Sequence, residues 1–404
     1  MYKSLLVFVF FYVAFASIIE NTNEHPTKPF NSLDPDCHRD LKEILENANY
    51  TVHQHSVVTP DGYILELFHI PARKVSSTHT LYVHGLAMNP VSWFFGVLPR
   101  DSLPLLTHLH TNSHVWIMSL RGTSYGLKHT NYTSNDREFW NFSHDEHVSF
   151  DLPTVVSFIH STQKVSKLSI IAHSEGSLIT LAGLASIPQL NNKITSAIVL
   201  APAYFISNIK TPFFSTLAKL SRKTINHLLG HKSLLMTPSV IDKILPGFCK
   251  LAAPLCRFSI CLIAGCDGAT NMLIDDTRSE VLIAHAPDTI SIKNAIHFAQ
   301  MVKNKENKLY KFDYESESEN RLHYGQPRPP FYNLSNIKVP VYLWNFMDDT
   351  LVTPTDVERL ASEFKFKQWN QVPRYGHGDA IWSKFILYDL LPDILRQLND
   401  EGIY

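Results

Sequence analysis

The feature that most restricts this chain is the run Leu168-Ser169-Ile170-Ile171, followed by Ala172-His173-Ser174-Glu175-Gly176 and then Ser177-Leu178-Ile179-Thr180-Leu181-Ala182-Gly183-Leu184-Ala185. The first stretch reads as a buried strand, the last as a helix whose small residues let it pack close to a sheet. A serine between them sits on a sharp strand-to-helix turn, which lifts its hydroxyl clear of the backbone. The helix start behind it supplies backbone N–H groups that a developing oxyanion can use. The usual spelling of such a turn is G-x-S-x-G, and here Ala172 holds the first position. One added methyl predicts mild crowding rather than loss of the turn. A second stretch, Gly122-Thr123-Ser124-Tyr125-Gly126, fits the spelling letter by letter. The residues after it, Leu127-Lys128-His129-Thr130-Asn131-Tyr132-Thr133, are polar and lack helical periodicity, so context selects Ser174 over Ser124.

The rest of the chain supplies a matching scaffold. A weakly amphipathic pattern at residues 40–47 predicts a short helix, and Thr51 to Val58 and Tyr63 to Ile70 flank the turn Thr59-Pro60-Asp61-Gly62 as a hairpin. Apolar strands then alternate with helical spacing: Thr80–Val83, Val115–Leu120, a helix over 151–162, the strand entering Ser174, and Thr195–Leu200. This alternation predicts a mostly parallel sheet with helices on both faces. Helical patterns dominate from about residue 204 to 332, and strand signals resume at Val339-Pro340-Val341-Tyr342-Leu343-Trp344. The expected organisation is a leader over 1–16, a first core part over 17–203, a helical cap or lid inserted over 204–332, and a second core part over 333–404. Such an insertion sits over the carboxyl ends of the strands, where ligands bind in open α/β sheets. Its apolar stretches, Tyr204-Phe205-Ile206, Thr211-Pro212-Phe213-Phe214 and Leu234-Leu235-Met236, read as insertion core by default and as ligand contacts by position.

Lys3 followed by an apolar stretch from Leu5 to Ala16 and ending in Ala14-Phe15-Ala16 reads as a cleaved secretory signal, too short to span a membrane comfortably. No transmembrane span is expected in the mature chain. In that compartment Asn49, Asn131, Asn141 and Asn333, each opening an N-x-S/T sequon, are candidate glycan acceptors. Of the five cysteines, Cys249, Cys256, Cys261 and Cys266 cluster in one segment, while Cys37 stands apart. The odd count leaves at least one unpaired within the chain, and spacing does not assign the pairs. A formal net charge of −1 gives no electrostatic reason to expect nucleic acid.

A serine hydroxyl needs a base, and the base needs a third group to orient it. The order Ser, acid, His directs the search beyond the insertion. There Met347-Asp348-Asp349-Thr350 comes after a strand, which leaves either aspartate as the acid or as a helix cap. Tyr375-Gly376-His377-Gly378 places an imidazole on a glycine-flanked loop, and position and order lift His377 above the 21 histidines of the chain. The backbone N–H groups of Glu175 and Leu86, the latter in His84-Gly85-Leu86-Ala87, are the expected oxyanion donors.

An ordered set of segments now resembles the acid lipase family of gastric and lysosomal lipases: Pro60-Asp61-Gly62 with Tyr63-Ile64-Leu65, His84-Gly85-Leu86, Arg121-Gly122-Thr123, Glu138-Phe139-Trp140, Phe150-Asp151-Leu152-Pro153, Asn345 to Asp349, and Tyr375-Gly376-His377. The resemblance runs from about residue 40 to the end. It implies an α/β-hydrolase core with a helical cap, and hydrolysis of acylglycerols or cholesteryl esters without a cofactor or metal. By motif it makes Ser174 the nucleophile, His377 the base, Asp349 the acid, and Leu86 and Glu175 the oxyanion donors; Asp349 is the residue that completes W-N-x-x-x-D from Trp344. It also implies a disulfide between Cys249 and Cys256, although their spacing departs from the family's. The family turn reads G-H-S-Q-G, so Ala172 and Glu175 are departures. A carboxylate beside a forming oxyanion opposes it. We therefore expect Glu175 either to turn its side chain into a hydrogen-bonded site or to protonate at acid pH. The expected partner is a lipid ester at a lipid–water interface, and the expected location is secreted or lysosomal. An esterase for small soluble esters shares every catalytic residue, and a non-catalytic lipid binder or storage protein is the reading from another class.

Overall fold

The computed structural model describes residues 34–94, 98–234, 278–383 and 385–400. The leader and the cysteines Cys249 and Cys256 lie outside them; Cys37 is buried and free. The chain opens with helix α1 (Leu41–Asn47), whose N-cap Asp40 exchanges hydrogen bonds with Glu43, and with the strands β1 (His53–Val58) and β2 (Tyr63–Ile70), joined at the Asp61-Gly62 turn. Then come β3 (His79–Val83), α2 (Leu103–Thr111), β4 (His114–Met118), the two-residue β5 (Lys128–His129), α3 (Leu152–Gln163), β6 (Leu168–His173), α4 (Glu175–Ser186) and β7 (Ile194–Leu200). Between β7 and β8 (Val341–Phe346) the described residues hold helices, among them α5 (Pro212–Leu217), α6 (Arg222–Leu229), α7 (Ser279–His285) and α8 (Ile292–Lys303). The chain closes with α9 (Pro354–Glu363), β9 (Gln368–Val372) and α10 (Leu391–Asn399).

The strands form one sheet in the order β1-β2-β4-β3-β6-β7-β8-β9, with β5 paired to β2. From β4 to β9 every neighbouring pair is parallel, while β1, β2 and β5 pair antiparallel at one edge. β5 was not foreseen, because two polar residues carry no strand period.

Side-chain alternation divides the core in two. On β6, Leu168, Ile170 and Ala172 face one cluster and Ile171 the other; on β3, Leu81 and Val83 oppose Tyr82. These positions are 0–1% exposed, so each large aliphatic side chain contributes roughly 1.5–3 kcal/mol by leaving water. A parallel sheet covered on both faces explains why β6 reads as a continuous apolar run instead of an alternating one.

One buried charge ties the layers together. Arg121, just past β4, donates through Nε to Asp151 Oδ1 at 2.8 Å and through Nη2 to Asp61 Oδ1 at 3.0 Å. Its guanidinium lies 4.0 Å from the Tyr63 ring centre. The cation, the hairpin turn and the residue preceding α3 are thereby locked, since removing either carboxylate would leave a buried charge half compensated.

Candidate active site

Parallel pairing brings the carboxyl ends of β3, β6, β7, β8 and β9 to one edge of the sheet, and the predicted residues all lie just past those ends. Ser174 occupies the corner between β6 and α4 with φ 56° and ψ −118°. A non-glycine residue there stores on the order of 1–3 kcal/mol. Neighbouring backbone holds it: the Ser174 N–H donates to the Leu200 carbonyl at 2.9 Å, and the Leu178 and Ala203 N–H groups donate to the Ser174 carbonyl at 3.1 and 3.2 Å. The turn also needs its small neighbours. A Cβ on Gly176 would lie 2.3 Å from the Val83 carbonyl oxygen, and one on Gly85 would lie 2.9 Å from Ser174 Cβ. Ala172, by contrast, is buried within the strand, so the missing first glycine costs the turn nothing visible.

The three distant side chains meet. His377 Nδ1 lies 2.7 Å from Asp349 Oδ2, and His377 Nε2 lies 2.8 Å from Ser174 Oγ. Asp349 is fully buried and also accepts through Oδ1 from the Leu351 and Val352 N–H groups at 2.8 and 2.7 Å. An ionised acid facing Nδ1 fixes the tautomer: Nδ1–H donates to the carboxylate, which leaves Nε2 to accept from the serine hydroxyl. The neighbouring Asp348 joins none of this; its N–H donates to the Tyr375 carbonyl.

Several supporting residues were not foreseen. His173 Nε2 lies 3.0 Å from the His377 carbonyl and donates to it, which anchors the loop that carries the base. Burial, then the His377 ring, push His173 far below the usual imidazole range, so it stays neutral in that role. His84 accepts from the Leu120 N–H through Nε2 at 3.3 Å, so its Nδ1–H donates to the Gly85 carbonyl at 3.0 Å. Burial lowers His84 to about 4. Asp288, from the segment between β7 and β8, accepts from Ser124 Oγ at 2.6 Å, from Asn89 Nδ2 at 3.0 Å and from the Ser124 and Thr289 N–H groups, while its own N–H donates to the Ala87 carbonyl at 2.7 Å. Ser124, the literal motif match, is thus a tether between the loop after β4 and Asp288 in the segment between β7 and β8. The loop 84–87 is held from both sides, and Leu86 lines the same cleft as Ser174. The Glu175 N–H opens the first turn of α4, where no intrahelical acceptor exists.

The Glu175 side chain turns away from this corner. It is buried, accepts from Asn294 Nδ2 at 2.7 Å, and faces His147 Nδ1 at 3.5 Å. Burial alone would raise its carboxyl, but His147 and Asn294 outweigh burial and hold it below the ordinary glutamate range. Of the two expectations for Glu175, the hydrogen-bonded site is the one the structure adopts; acid-form protonation is opposed by that direction.

Above Ser174 and His377 lies an apolar cleft lined by Leu86, Ile206, Phe213, Phe214, Leu234 and Phe298. Ile206, Phe213, Phe214 and Leu234 come from the stretches left open in the sequence; Ile206 and Phe214 are buried in the main core cluster, as the default reading expects, and line the cleft as well.

Among the described residues, His144, Asp145 and His297 bring one ligand-type atom each within 4.8 Å of one another. They do not suit a metal. Asp145 accepts from the Tyr332 hydroxyl at 2.6 Å and the Phe312 N–H at 2.8 Å, and His297 bonds the Tyr310 carbonyl at 3.1 Å. The imidazoles of His144 and His297 stack at 3.7 Å, so their in-plane lone pairs run side by side instead of converging.

Comparison with known proteins agrees with this geometry. The sequence profile of the partial alpha/beta-hydrolase lipase region matches residues 41–97. The chain is 30% identical to bovine (Bos taurus) gastric triacylglycerol lipase over 91% of this chain and 93% of that one. It is 31% identical to mouse (Mus musculus) lipase member N over 87% and 88%. A Bacillus subtilis protein solved as a candidate hydrolase superposes with a TM-score of 0.51 at 11% identity, covering 91% of this chain and all of that one, a likeness of fold alone. With these extents of identity, the chain belongs to the acid lipase family of α/β-hydrolases and is a serine ester hydrolase.

Proposed function

We propose that this protein is a lipase that cleaves acylglycerol or cholesteryl ester bonds through an acyl-enzyme formed on Ser174. The observation that carries the reading is one imidazole spanning 2.7 Å to Asp349 and 2.8 Å to Ser174 Oγ at the base of an apolar cleft. His377 Nε2 takes the hydroxyl proton as Ser174 Oγ bonds to the ester carbonyl carbon. The carbonyl electron pair moves onto oxygen, and the N–H groups of Leu86 and Glu175 receive that charge. Asp349 stabilises the imidazolium without taking its proton. His377 then protonates the leaving alcohol as the C–O bond breaks. Water repeats the sequence: its proton goes to Nε2, its oxygen to the acyl carbon, and Ser174 leaves with the proton returned. The insertion over 204–332 acts as a cap whose apolar cleft walls receive acyl chains at a lipid–water interface. The short apolar leader and sequon residues Asn49, Asn131, Asn141 and Asn333, all exposed, support a glycosylated product that is secreted or lysosomal. Among the described residues no helix is long and apolar enough to cross a membrane.

The test is a substrate panel run alongside covalent labelling. The expected result is hydrolysis of an emulsified long-chain triglyceride and attachment of a serine-directed phosphonate to Ser174. Activity on soluble p-nitrophenyl butyrate alone would make the protein a small-ester esterase. A folded protein that resists the phosphonate would make it a lipid binder.

A further inference from the structure

Glu175 places a buried carboxylate on the residue that follows Ser174 and opens α4, whose backbone N–H is the expected second oxyanion donor. Its surroundings are unusual for their imidazoles. His144 and His147 approach from the segment ahead of α3, Asn294 from α8, and His84 from the end of β3. Asn294 is locked in one orientation, since its Oδ1 accepts from the His144 N–H at 2.8 Å while its Nδ2 donates to Glu175. Behind His144 stand Asp145, occupied by Tyr332 and Phe312, and the stacked ring of His297. Lys293 pairs with Glu146 at 3.2 Å on the partly exposed side and does not meet Glu175.

Only one of these groups is suited to balance the charge. Burial lowers His144 to about 3 and His84 to about 4, so both stay neutral. Asn294 donates but carries no charge. His147 is almost fully buried, neither ring nitrogen has a hydrogen-bond partner among the described residues, and its Nδ1 stands at ion-pair distance, 3.5 Å, from Glu175 Oε1.

We propose that His147 is a positioning residue for ester hydrolysis: its imidazolium neutralises the Glu175 carboxylate, so that the Glu175 N–H meets the forming oxyanion without an opposing charge behind it. The proposal rests on Ser174 being the nucleophile. It gives the reaction two histidines with opposite requirements. His377 must be unprotonated to accept the serine proton, and His147 must be protonated to balance Glu175. Turnover then rises on one limb of the pH profile and falls on the other.

The experiment measures kcat for p-nitrophenyl butyrate with the full chain in four forms: wild type, Glu175→Gln, His147→Leu, and the double variant, each checked for folding by circular dichroism and for Ser174 by phosphonate labelling. In the wild-type background His147→Leu is expected to lower kcat about tenfold or more, because a charge in a dry site acts strongly on a nearby oxyanion. In the Glu175→Gln background the same substitution is expected to cost less than about threefold, since no charge remains to balance. The profile supplies a measurement that needs no His147 variant: wild type should lose kcat at alkaline pH, whereas Glu175→Gln should keep the acid limb and lose the alkaline one. Equal losses in both backgrounds, or the same alkaline limb in wild type and Glu175→Gln, overturn the proposal while the enzyme still labels and turns over. A wild type that neither labels nor hydrolyses overturns the reading of Ser174, and this proposal with it.

Discussion

Ser174 and Glu175 are consecutive, yet their side chains enter two polar pockets of opposite character. On the serine side the atoms of the triad are matched: the hydroxyl meets Nε2, Nδ1 meets the acid, and the acid meets two backbone donors. On the glutamate side the matching is incomplete, with both ring nitrogens of His144 and of His147 lacking a hydrogen-bond partner among the described residues. Saturated polar groups fix one geometry, whereas unsaturated ones leave buried polar atoms uncompensated. One backbone step therefore separates a fully paired triad from a pocket whose imidazoles are left unpaired.

The contrast between the pockets is most exposed to disproof on the serine side. Ser174→Ala should lower kcat for p-nitrophenyl butyrate by about 10⁴-fold or more, since the nucleophile of a triad acts as a unit with its base. A loss under tenfold would mean that the paired triad is not where the chemistry occurs. Gly176→Ala should come next. Its Cβ would meet the Val83 carbonyl at 2.3 Å and the His84 carbonyl at 2.6 Å, both backbone, so the corner itself must move. We expect kcat to fall about a hundredfold, as a displacement of the order of 1 Å does, with Tm lowered in the same protein; unchanged values on both readouts would show that the corner is softer than its contacts imply.

The smallest effect sharpens the other side. His144 and His297 fall to about 3 and His84 to about 4 in the fold, against an ordinary imidazole value of about 6.5. Burial is the leading cause for each. The folded values are depressed, so the unfolded chain binds these protons first. The stability is present above about pH 6.5 and is lost progressively as pH falls towards 3–4, by up to about 3 kcal/mol for a shift the size of His84's. Calorimetry should show Tm dropping steadily between pH 6.5 and 4, and His144→Phe, which keeps an aromatic ring against His297, should flatten that slope. A slope unchanged by His144→Phe would assign acid sensitivity to other groups.

The legibility of the two pockets in the sequence differs for the same physical reason. Ser174 and Asp349 lie past the ends of strands that apolar runs reveal, whereas β9 ahead of His377 reads Gln368-Trp369-Asn370-Gln371-Val372 and carries no such run, so the base is legible from chain order and its glycine-flanked loop. A parallel sheet then delivers them to one edge without any further information. His147, Asn294 and Asp288 obey no such rule. Asn294 and Asp288 arrive from the helical segment between β7 and β8, whose docking depends on tertiary packing, and His147 opens a short π-helical stretch ahead of α3 with no periodic signal in the sequence. Glu175 was legible as a departure, but the direction its side chain takes was not, because that depends on an amide contributed from α8. At the sheet edge, β5 escaped for lack of any pattern. Ser124 shows the converse: a literal motif match became a tether once the structure supplied no helix behind it.

The 203 residues that separate Ser174 from His377 carry a consequence for the cell that makes this chain. Synthesis proceeds at about 5–20 residues per second, so the serine leaves the ribosome roughly 10–40 s before its imidazole exists. Until then the serine has no base to take its proton. Esterolytic power therefore requires a chain that extends at least as far as His377.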